Sequence, residues 1–280
     1  MKAWLAIGFF LFLYYHGPLH GQVVGNLQIS SNRTIHFIVT DPQGRKTGVD
    51  PRGAEDPLVG KQLNEIPEAN YSTNAIGDSP KKYEPLETDI QHEFMYNVKS
   101  PTNDGSYQID CIGLKSARFD LSISLLLDNL GHVSSFDTSL TGLVGVNTVV
   151  SFCMQYKGQQ GGITRIERLV SLSDIRQDLD NSYKLQLLGD HSFHKELSNI
   201  LDSYEKHLSR KDTLKAVKEL EKFHDRITKE YKEGTKARDK RFVTADALHI
   251  LSYDVQYLID RLPDKSKHGR EDDKDKKPKK

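Results

Sequence analysis

The chain is poor in the residues that mark several common classes of site. Its 280 residues include only two cysteines, one tryptophan and three methionines. Lysine plus arginine equals aspartate plus glutamate, at 39 each, so no net charge attracts the protein to nucleic acid or to an anionic membrane. Two cysteines are too few for a zinc site built from four thiolates. We therefore expect no nucleic-acid partner and no structural zinc of the all-cysteine type.

The sequence also lacks the short motifs that accompany common catalytic sites. It contains no phosphate-binding GxxxxGK[ST], no GxSxG and no HExxH. His191 and His194 lie three residues apart at a predicted helix start and could share a metal with His224 or His249. Packed or surface histidines are far commoner than such a site. The sequence therefore predicts that the protein is not an enzyme.

The N-terminus has the layout of a secretory signal peptide. Lys2 supplies a positive charge, residues 3–15 are almost uniformly apolar, and small and polar residues follow up to Gly21. This run is shorter than the roughly 20 apolar residues of a membrane span. We predict that residues 1–21 are removed, that the mature chain is secreted to an extracellular or periplasmic location, and that no membrane span remains. The alternative is an uncleaved N-terminal anchor.

Residues 22–157 show the period-two alternation of apolar and polar residues that is typical of β-strands. Gly, Asn, Asp and Pro separate the alternating runs, which indicates short strands joined by turns. Such a series favours an antiparallel β-sandwich, in which two sheets bury their apolar faces against each other. The predicted strands are residues 34–41, 90–100, 106–114, 117–127, 133–140 and 146–156.

The segment 41–89 interrupts this alternation and contains two D-P-x-G turns. A loop of this length is uncommon unless it is functional or disordered. Loops that a rigid scaffold displays commonly carry recognition, so we predict that this one is a contact surface. The tyrosines of the segment have an alternative role, which is to hold the loop on the sandwich. The candidate contact residues are Arg45, Tyr71 and Tyr83.

Three aspartates of the same segment are candidate calcium ligands. Asp41, Asp50 and Asp56 lie close together in a glycine-containing stretch, and calcium prefers oxygen ligands. Their spacing does not match the EF-hand loop, and Asp-Pro is also an ordinary way to begin a turn. Calcium is therefore the one cofactor that the sequence suggests, and a purely structural role for these aspartates is the alternative.

The two cysteines, Cys111 and Cys153, are a candidate disulfide because an even number of cysteines in a secreted chain often pairs. The alternation argues against this bond. Cys111 falls on the apolar face with Tyr107 and Ile109, whereas Cys153 falls on the polar face of its strand. Because neighbouring side chains of a strand point to opposite faces, the two sulfurs need not meet.

The period changes to that of an α-helix in the last part of the chain. Residues 158–170 begin with a Gly- and Gln-rich run and are predicted to be a linker. Residues 171–262 then carry four amphipathic runs and should form a small all-α bundle of about four helices. The predicted N-caps are Ser173, Ser192, Asp212 and Thr244. Residues 263–280 have no apolar side chain other than proline and should be a disordered charged tail.

Two parts of the chain resemble families of exported bacterial proteins. Three stretches of the β-rich part are similar to an Ig-like β-sandwich module. They are DPQGRKTG at 41–48, IPEANY at 66–71 and GSYQI at 105–109. Residues 208–227 and 244–248 are similar to the FIMAH domain, a small all-helical domain that often ends exported proteins. The matching positions are Leu208, Asp212, Ala216, Leu220, Phe223, Ile227, Ala245, Ala247 and Leu248.

These resemblances imply an exported accessory or interaction module and no known catalytic activity. The matching positions are mostly packing positions, and Lys211 stands where the helical family usually has glycine. The fold we expect is α+β in separate domains, with an N-terminal antiparallel Ig-like sandwich and a C-terminal helical bundle. The expected function is that of a binding or scaffold protein whose partner is an envelope protein or a polysaccharide. The alternatives are a structural envelope or matrix protein without a discrete ligand, and a carbohydrate-binding adhesion module.

Overall fold

A β domain precedes a small helical domain, as the sequence predicts. Antiparallel sheets occupy residues 23–169, and four helices lie between residues 172 and 261. The predicted signal peptide, and all of the predicted tail except Pro263, lie outside the described residues. The computed structural model of the chain describes residues 23–75, 90–100, 102–129, 131–233 and 240–263.

The β domain consists of two antiparallel sheets. The first has five strands in the order β5-β6-β1-β8-β9, and the second has six in the order β11-β10-β7-β2-β3-β4. The strands are β1 (Val23–Ser31), β2 (Ile35–Thr40), β3 (Lys46–Asp50), β4 (Lys61–Asn64), β5 (Ala69–Ala75), β6 (Ile90–Ser100), β7 (Gly105–Gly113), β8 (Ala117–Asn129), β9 (His132–Val144), β10 (Val149–Lys157) and β11 (Gly162–Leu169).

Alternating side chains bring the two sheets together around one core. In β8 the buried side chains Phe119, Leu121 and Ile123 alternate with exposed or partly exposed neighbours. Phe37 of β2 and Phe152 of β10 approach this layer from the second sheet and belong to the same apolar cluster. The domain is therefore sandwich-like, because the inner faces of both sheets exclude water from a common layer.

Two segments that the sequence predicts to be irregular contain regular secondary structure. The segment 41–89 is not one long loop, since it contains β3, β4 and β5 among its described residues. Residues 158–170 are not a linker, because a single 3-10 turn at Gly158–Gln160 leads directly into β11. The glycines of this stretch make a tight turn rather than a flexible connection, and Gly161 takes a positive φ of 90° there. The chain thus passes from sandwich to helices without a spacer.

The helical domain buries one stripe of each helix in a second apolar cluster. Asp212 and Thr244 cap the third and fourth helices as predicted, whereas the first two helices begin two residues earlier than predicted. Ser171 forms a reciprocal capping box with Asp174, and Asp190 accepts from the Phe193 N–H group. The helices are α1 (Leu172–Lys184), α2 (His191–Ser209), α3 (Thr213–Lys229) and α4 (Ala245–Arg261). Among the described residues, no helix is both long and apolar enough to span a membrane.

Lys211, in the turn between α2 and α3, occupies the left-handed region with φ of 59°. A residue with a Cβ pays about 1–2 kcal/mol in this region, whereas glycine adopts it freely. Since glycine also loses more chain entropy on folding, we expect Lys211→Gly to stabilise the protein by about 0.5–1 kcal/mol. Thermal unfolding measures this gain, and Lys211→Ala is the control, since it removes the side chain but keeps the strain. Equal stabilisation by both variants would contradict the explanation.

Candidate functional site

The most exposed apolar side chains of the segment 41–75 lie at the tip of the loop between β3 and β4. We call residues 51–60 the contact loop. Leu58 is 56% exposed and Val59 is 70% exposed. The tip is a tight turn, because the N–H groups of Val59 and Gly60 both donate to the Asp56 carbonyl, at 3.2 and 2.9 Å. An ordered backbone therefore presents two aliphatic side chains to solvent.

Arg45, a predicted contact residue, lies in the turn between β2 and β3 and is partly exposed. Its guanidinium pairs with the buried Asp41 carboxylate, with Nε 2.7 Å from Oδ2. Asp41 also accepts from the backbone N–H groups of Gln43 and Arg45, at 3.0 and 2.9 Å. The hydrogen bond from Arg45 to Asp41 raises the pKa of the guanidinium. Arg45 therefore stabilises the turn in which it lies.

The three candidate calcium ligands are each used by their own turn. Asp41 is held by Arg45, and Asp50 accepts from Arg52 Nε at 2.8 Å, which lowers the pKa of Asp50. Asp56 accepts from the Leu58 N–H at 2.9 Å. The described residues contain no group of three or more His, Cys, Asp or Glu side chains that could hold a metal ion. These contacts favour the structural role that Asp-Pro turns usually have.

Tyr71, a second predicted contact residue, is buried, so it is not part of an exposed surface. It packs edge-on against Phe37, with ring centroids 5.0 Å apart, and its hydroxyl lies 3.2 Å from His36 Nδ1. The other ring nitrogen of His36 lies 3.0 Å from the Leu58 carbonyl oxygen. The structure therefore favours the alternative role, because Tyr71 holds the contact loop on the sandwich through His36 and the Leu58 carbonyl. Tyr83 lies outside the described residues.

His92 lies beside this anchor and is also buried. Its ring centroid is 4.4 Å from that of His36 and 6.2 Å from that of Tyr71. Burial, together with the nearby His36 and Arg33, lowers the pKa of His92 to about 3. Burial likewise lowers the pKa of His36 and raises that of Tyr71. The cluster is therefore neutral near pH 7, and acid destabilises it because the folded state resists protonation of the two histidines.

Both cysteines are free thiols. Cys111 in β7 lies opposite Val150 of the neighbouring strand β10, whereas Cys153 lies opposite Gln108. Cys111 faces the core, and burial raises the pKa of its thiol. Cys153 is partly exposed and contacts the Ser106 hydroxyl, with Sγ and Oγ 3.1 Å apart. The candidate disulfide is therefore wrong, for the reason that the alternation indicates.

A buried ion cluster joins the two domains. Arg168 of β11 enters the helical domain, and its Nη1 donates to Asp254 of α4 at 2.8 Å while its Nη2 donates to Asp178 of α1. Arg168 is 6% exposed and both aspartates are completely buried. The Tyr253 hydroxyl accepts from the Arg168 N–H at 3.1 Å and faces the Arg168 carbonyl at 3.3 Å. A side chain of the last strand thus ties the sandwich to two helices.

The helical elements on the far side of this cluster have a recognisable family pattern. Residues 172–260 match the FIMAH domain family. The match covers α1 to α4 of the helical domain almost completely and stops short of the sandwich. Searches of curated proteins and of solved structures found no significant match to the chain.

Of the two buried aspartates in this cluster, Asp254 has a pKa well above its usual range. Burial raises the pKa of both carboxyls, and the attraction of Arg168 lowers it by a smaller amount. The pKa of Asp254 rises further because Asp178 is negatively charged and accepts a hydrogen bond from it. One oxygen of each carboxyl has no other partner within the described residues. A proton on Asp254 leaves Arg168 and Asp178 as a balanced ion pair.

The raised pKa of Asp254 makes stability depend on pH. An aspartate of the unfolded chain titrates near pH 3.9, whereas Asp254 keeps its proton to higher pH in the folded state. The folded protein therefore binds more protons above about pH 4, and its stability falls as the pH rises toward the folded pKa. Because Asn donates without titrating, Asp254→Asn should gain stability relative to the wild type as the pH rises. Urea unfolding from pH 4 to 8 measures this, with exposed Asp246→Asn as control, and a constant difference would contradict it.

A cleft of about 200 Å³ lies next to the ion cluster, between β9–β11 and α4. Phe152, Ile166 and Ile250 supply its apolar walls, and Arg168 and Tyr253 supply part of its polar lining. These two polar residues already bind the aspartates and the strand backbone. We therefore assign the cleft to the domain junction, and the perturbed carboxyls beside it to a structural tie.

Sequence reasoning missed both buried polar clusters, although each leaves a signal. In β6 the face that carries Phe94 and Tyr96 also carries His92, two residues earlier. In α4 the buried stripe formed by Ile250, Leu251 and Val255 includes Asp254. A polar residue in phase with an apolar face indicates a buried partner, because burying it alone is costly.

Proposed function

We propose that the protein is a non-catalytic binding or scaffold module that acts outside the cytoplasm, with the contact loop as its binding surface. The observation that carries this proposal is the pair Leu58 and Val59, held exposed at the tip of an ordered turn. Exposed aliphatic side chains on a fixed backbone bind a partner with little loss of chain entropy. The hydrogen bond from buried His36 to the Leu58 carbonyl supplies that order.

The character of the loop favours a protein partner, such as an envelope protein, over a polysaccharide. Sugar-binding surfaces commonly use exposed aromatic rings, whereas the large apolar side chains exposed on the described part of the sandwich are aliphatic. Tyr71, the aromatic candidate that the structure describes, is in the core. Carbohydrate adhesion is therefore the second candidate, and a structural envelope or matrix role without a discrete ligand is the third.

We also propose that the protein is secreted and that its β-sandwich is of the Ig-like type. The charged and apolar N-terminal pattern supports secretion, and the FIMAH match is in keeping with an exported accessory protein. Two antiparallel sheets around one core support an Ig-like module. Secretion is tested by fractionating cells that express the full chain and by sequencing the N-terminus of the exported form.

Retention assays test the binding function. The purified protein is immobilised and exposed to polysaccharides, cell walls and envelope extract, with and without calcium. We expect saturable capture of one envelope protein, unchanged by chelation of calcium. Saturable retention of a glycan would favour the adhesion module instead, and calcium dependence would return Asp41, Asp50 and Asp56 to the site. Absence of any retention would contradict the binding proposal and favour the structural role.

A further inference from the structure

Two side chains at one end of the sandwich core have polar atoms without a partner. His92 is 3% exposed, and neither of its ring nitrogens has a hydrogen-bond partner in the described part of the chain. Ser31 lies directly opposite His92 in the β1–β6 pairing, and its buried Oγ also has no partner there. Leaving buried polar groups unpaired is costly, so such groups point to a bound ion or water.

The neighbouring His36 is arranged as a metal ligand usually is. Its Nε2 faces the Leu58 carbonyl at 3.0 Å, and a carbonyl only accepts, so Nε2 carries the proton. The lone pair of Nδ1 is then directed toward the Tyr71 hydroxyl, 3.2 Å away. Histidines that bind metals commonly donate their second ring N–H to a backbone carbonyl, which fixes the tautomer. The contact loop therefore orients His36.

The distances match those between ligands of one ion. Zinc bonds to nitrogen and oxygen are about 2.0–2.2 Å long, so neighbouring donors of a tetrahedral site are roughly 3.3 Å apart. His36 Nδ1 and Tyr71 Oη are separated by 3.2 Å. Two imidazole rings on such an ion have centroids roughly 5 Å apart, and those of His36 and His92 are 4.4 Å apart. The His92 ring therefore lies close enough to His36 for one ion to contact both rings.

We propose that this end of the sandwich core binds one divalent first-row transition metal ion, of the Zn²⁺ or Cu²⁺ class, through His36 Nδ1, a ring nitrogen of His92 and Tyr71 Oη. Imidazole and phenolate donors suit these ions better than they suit calcium or magnesium. Tyr71 releases its phenolic proton when it binds, and Ser31 Oγ hydrogen-bonds to a water in the fourth position. The ion fastens the contact loop at Leu58, because His36 holds the Leu58 carbonyl.

Metal titration of the full chain tests the proposal. Tag-free protein is treated with a chelator, dialysed and titrated with Zn²⁺ in a calorimeter. We expect one ion per chain, and a loss of affinity of about 100-fold or more in His36→Gln and in His92→Gln. The control is the double variant His191→Gln/His194→Gln, which removes the other histidine pair and should bind as the wild type does. Far-UV circular dichroism establishes that each variant is folded.

Spectroscopy of the metal-bound protein identifies the ligands directly. With Cu²⁺ bound, a tyrosinate-to-copper charge-transfer absorption is expected, and Tyr71→Phe should lose it. X-ray absorption of the Zn²⁺ form should show two imidazoles and no sulfur. The proposal is overturned if the wild type binds no ion, if the absorption shows a thiolate ligand, or if binding survives His92→Gln and disappears in the His191/His194 double variant.

Discussion

Arg168→Met should destabilise the protein by about 3–5 kcal/mol, because it leaves the charge of Asp178 buried without its cation. The Arg168 side chain, at 6% exposure, makes hydrogen bonds to Asp178 and Asp254, which lie on different helices. Methionine fills a similar volume but supplies no donor. Urea unfolding followed by circular dichroism measures the loss. We also expect the helical domain to unfold at a lower urea concentration than the sandwich, since the tie between them is gone.

A second arginine across the same junction provides the control. Arg118 of β8 donates to Asp246 of α4 at 2.9 Å, and both side chains are nearly half exposed. Exposed ion pairs contribute at most about 1 kcal/mol, so Arg118→Met should cost no more than that. Similar losses in the two variants would show that burial of the ion cluster does not matter, and would contradict our account of the junction.

Gly48→Ala should destabilise the sandwich by roughly 2–5 kcal/mol, because a Cβ at this position meets backbone that cannot move freely. Gly48 in β3 has φ of 143°, and an added Cβ would lie 2.2 Å from the Phe37 carbonyl oxygen and 2.8 Å from the Ile38 Cα. Ile38 is its partner in the β2–β3 pairing. The variant therefore forces apart the strands that lead into the contact loop. Thermal and urea unfolding measure the effect.

Gly44→Ala is the matched control for this substitution. Gly44 also has a positive φ, of 80°, but no atom lies within 4 Å of an added Cβ. Its variant should suffer only the backbone strain of about 1–2 kcal/mol. If Gly44→Ala is as destabilising as Gly48→Ala, the close approach of β2 and β3 is not the reason for glycine at position 48.

The sequence predicts the regular parts of this fold because burial there follows a simple period. The alternation in residues 90–100 coincides with β6, and Asp212 and Thr244 begin helices as expected. The contacts that join sequence-distant residues are the part it does not predict. β11 mixes charged and apolar residues after a glycine-rich turn, and its pairing with β10 decides that it is a strand.

The buried polar groups show the same limit. Arginine is usually exposed, so the sequence gives no sign that Arg168 is buried. Its two partners lie in different helices, and the sequence does not indicate that these helices meet at Arg168. His36 falls between the core residues of β2, and the contact loop that covers it is a tertiary feature. His92 and Asp254 are different, because both are in phase with an apolar face, and this phase alone indicates burial.

The central claim is that the contact loop binds a partner, and the double variant Leu58→Ser/Val59→Ser tests it most directly. Both side chains are more than half exposed, so the substitution should leave the unfolding temperature nearly unchanged. Val133→Ser is the control, because Val133 is 65% exposed on β9, outside the loop. In the envelope-extract assay we predict at least a tenfold loss of captured partner for the double variant and none for the control. Full capture by the folded double variant would contradict the account.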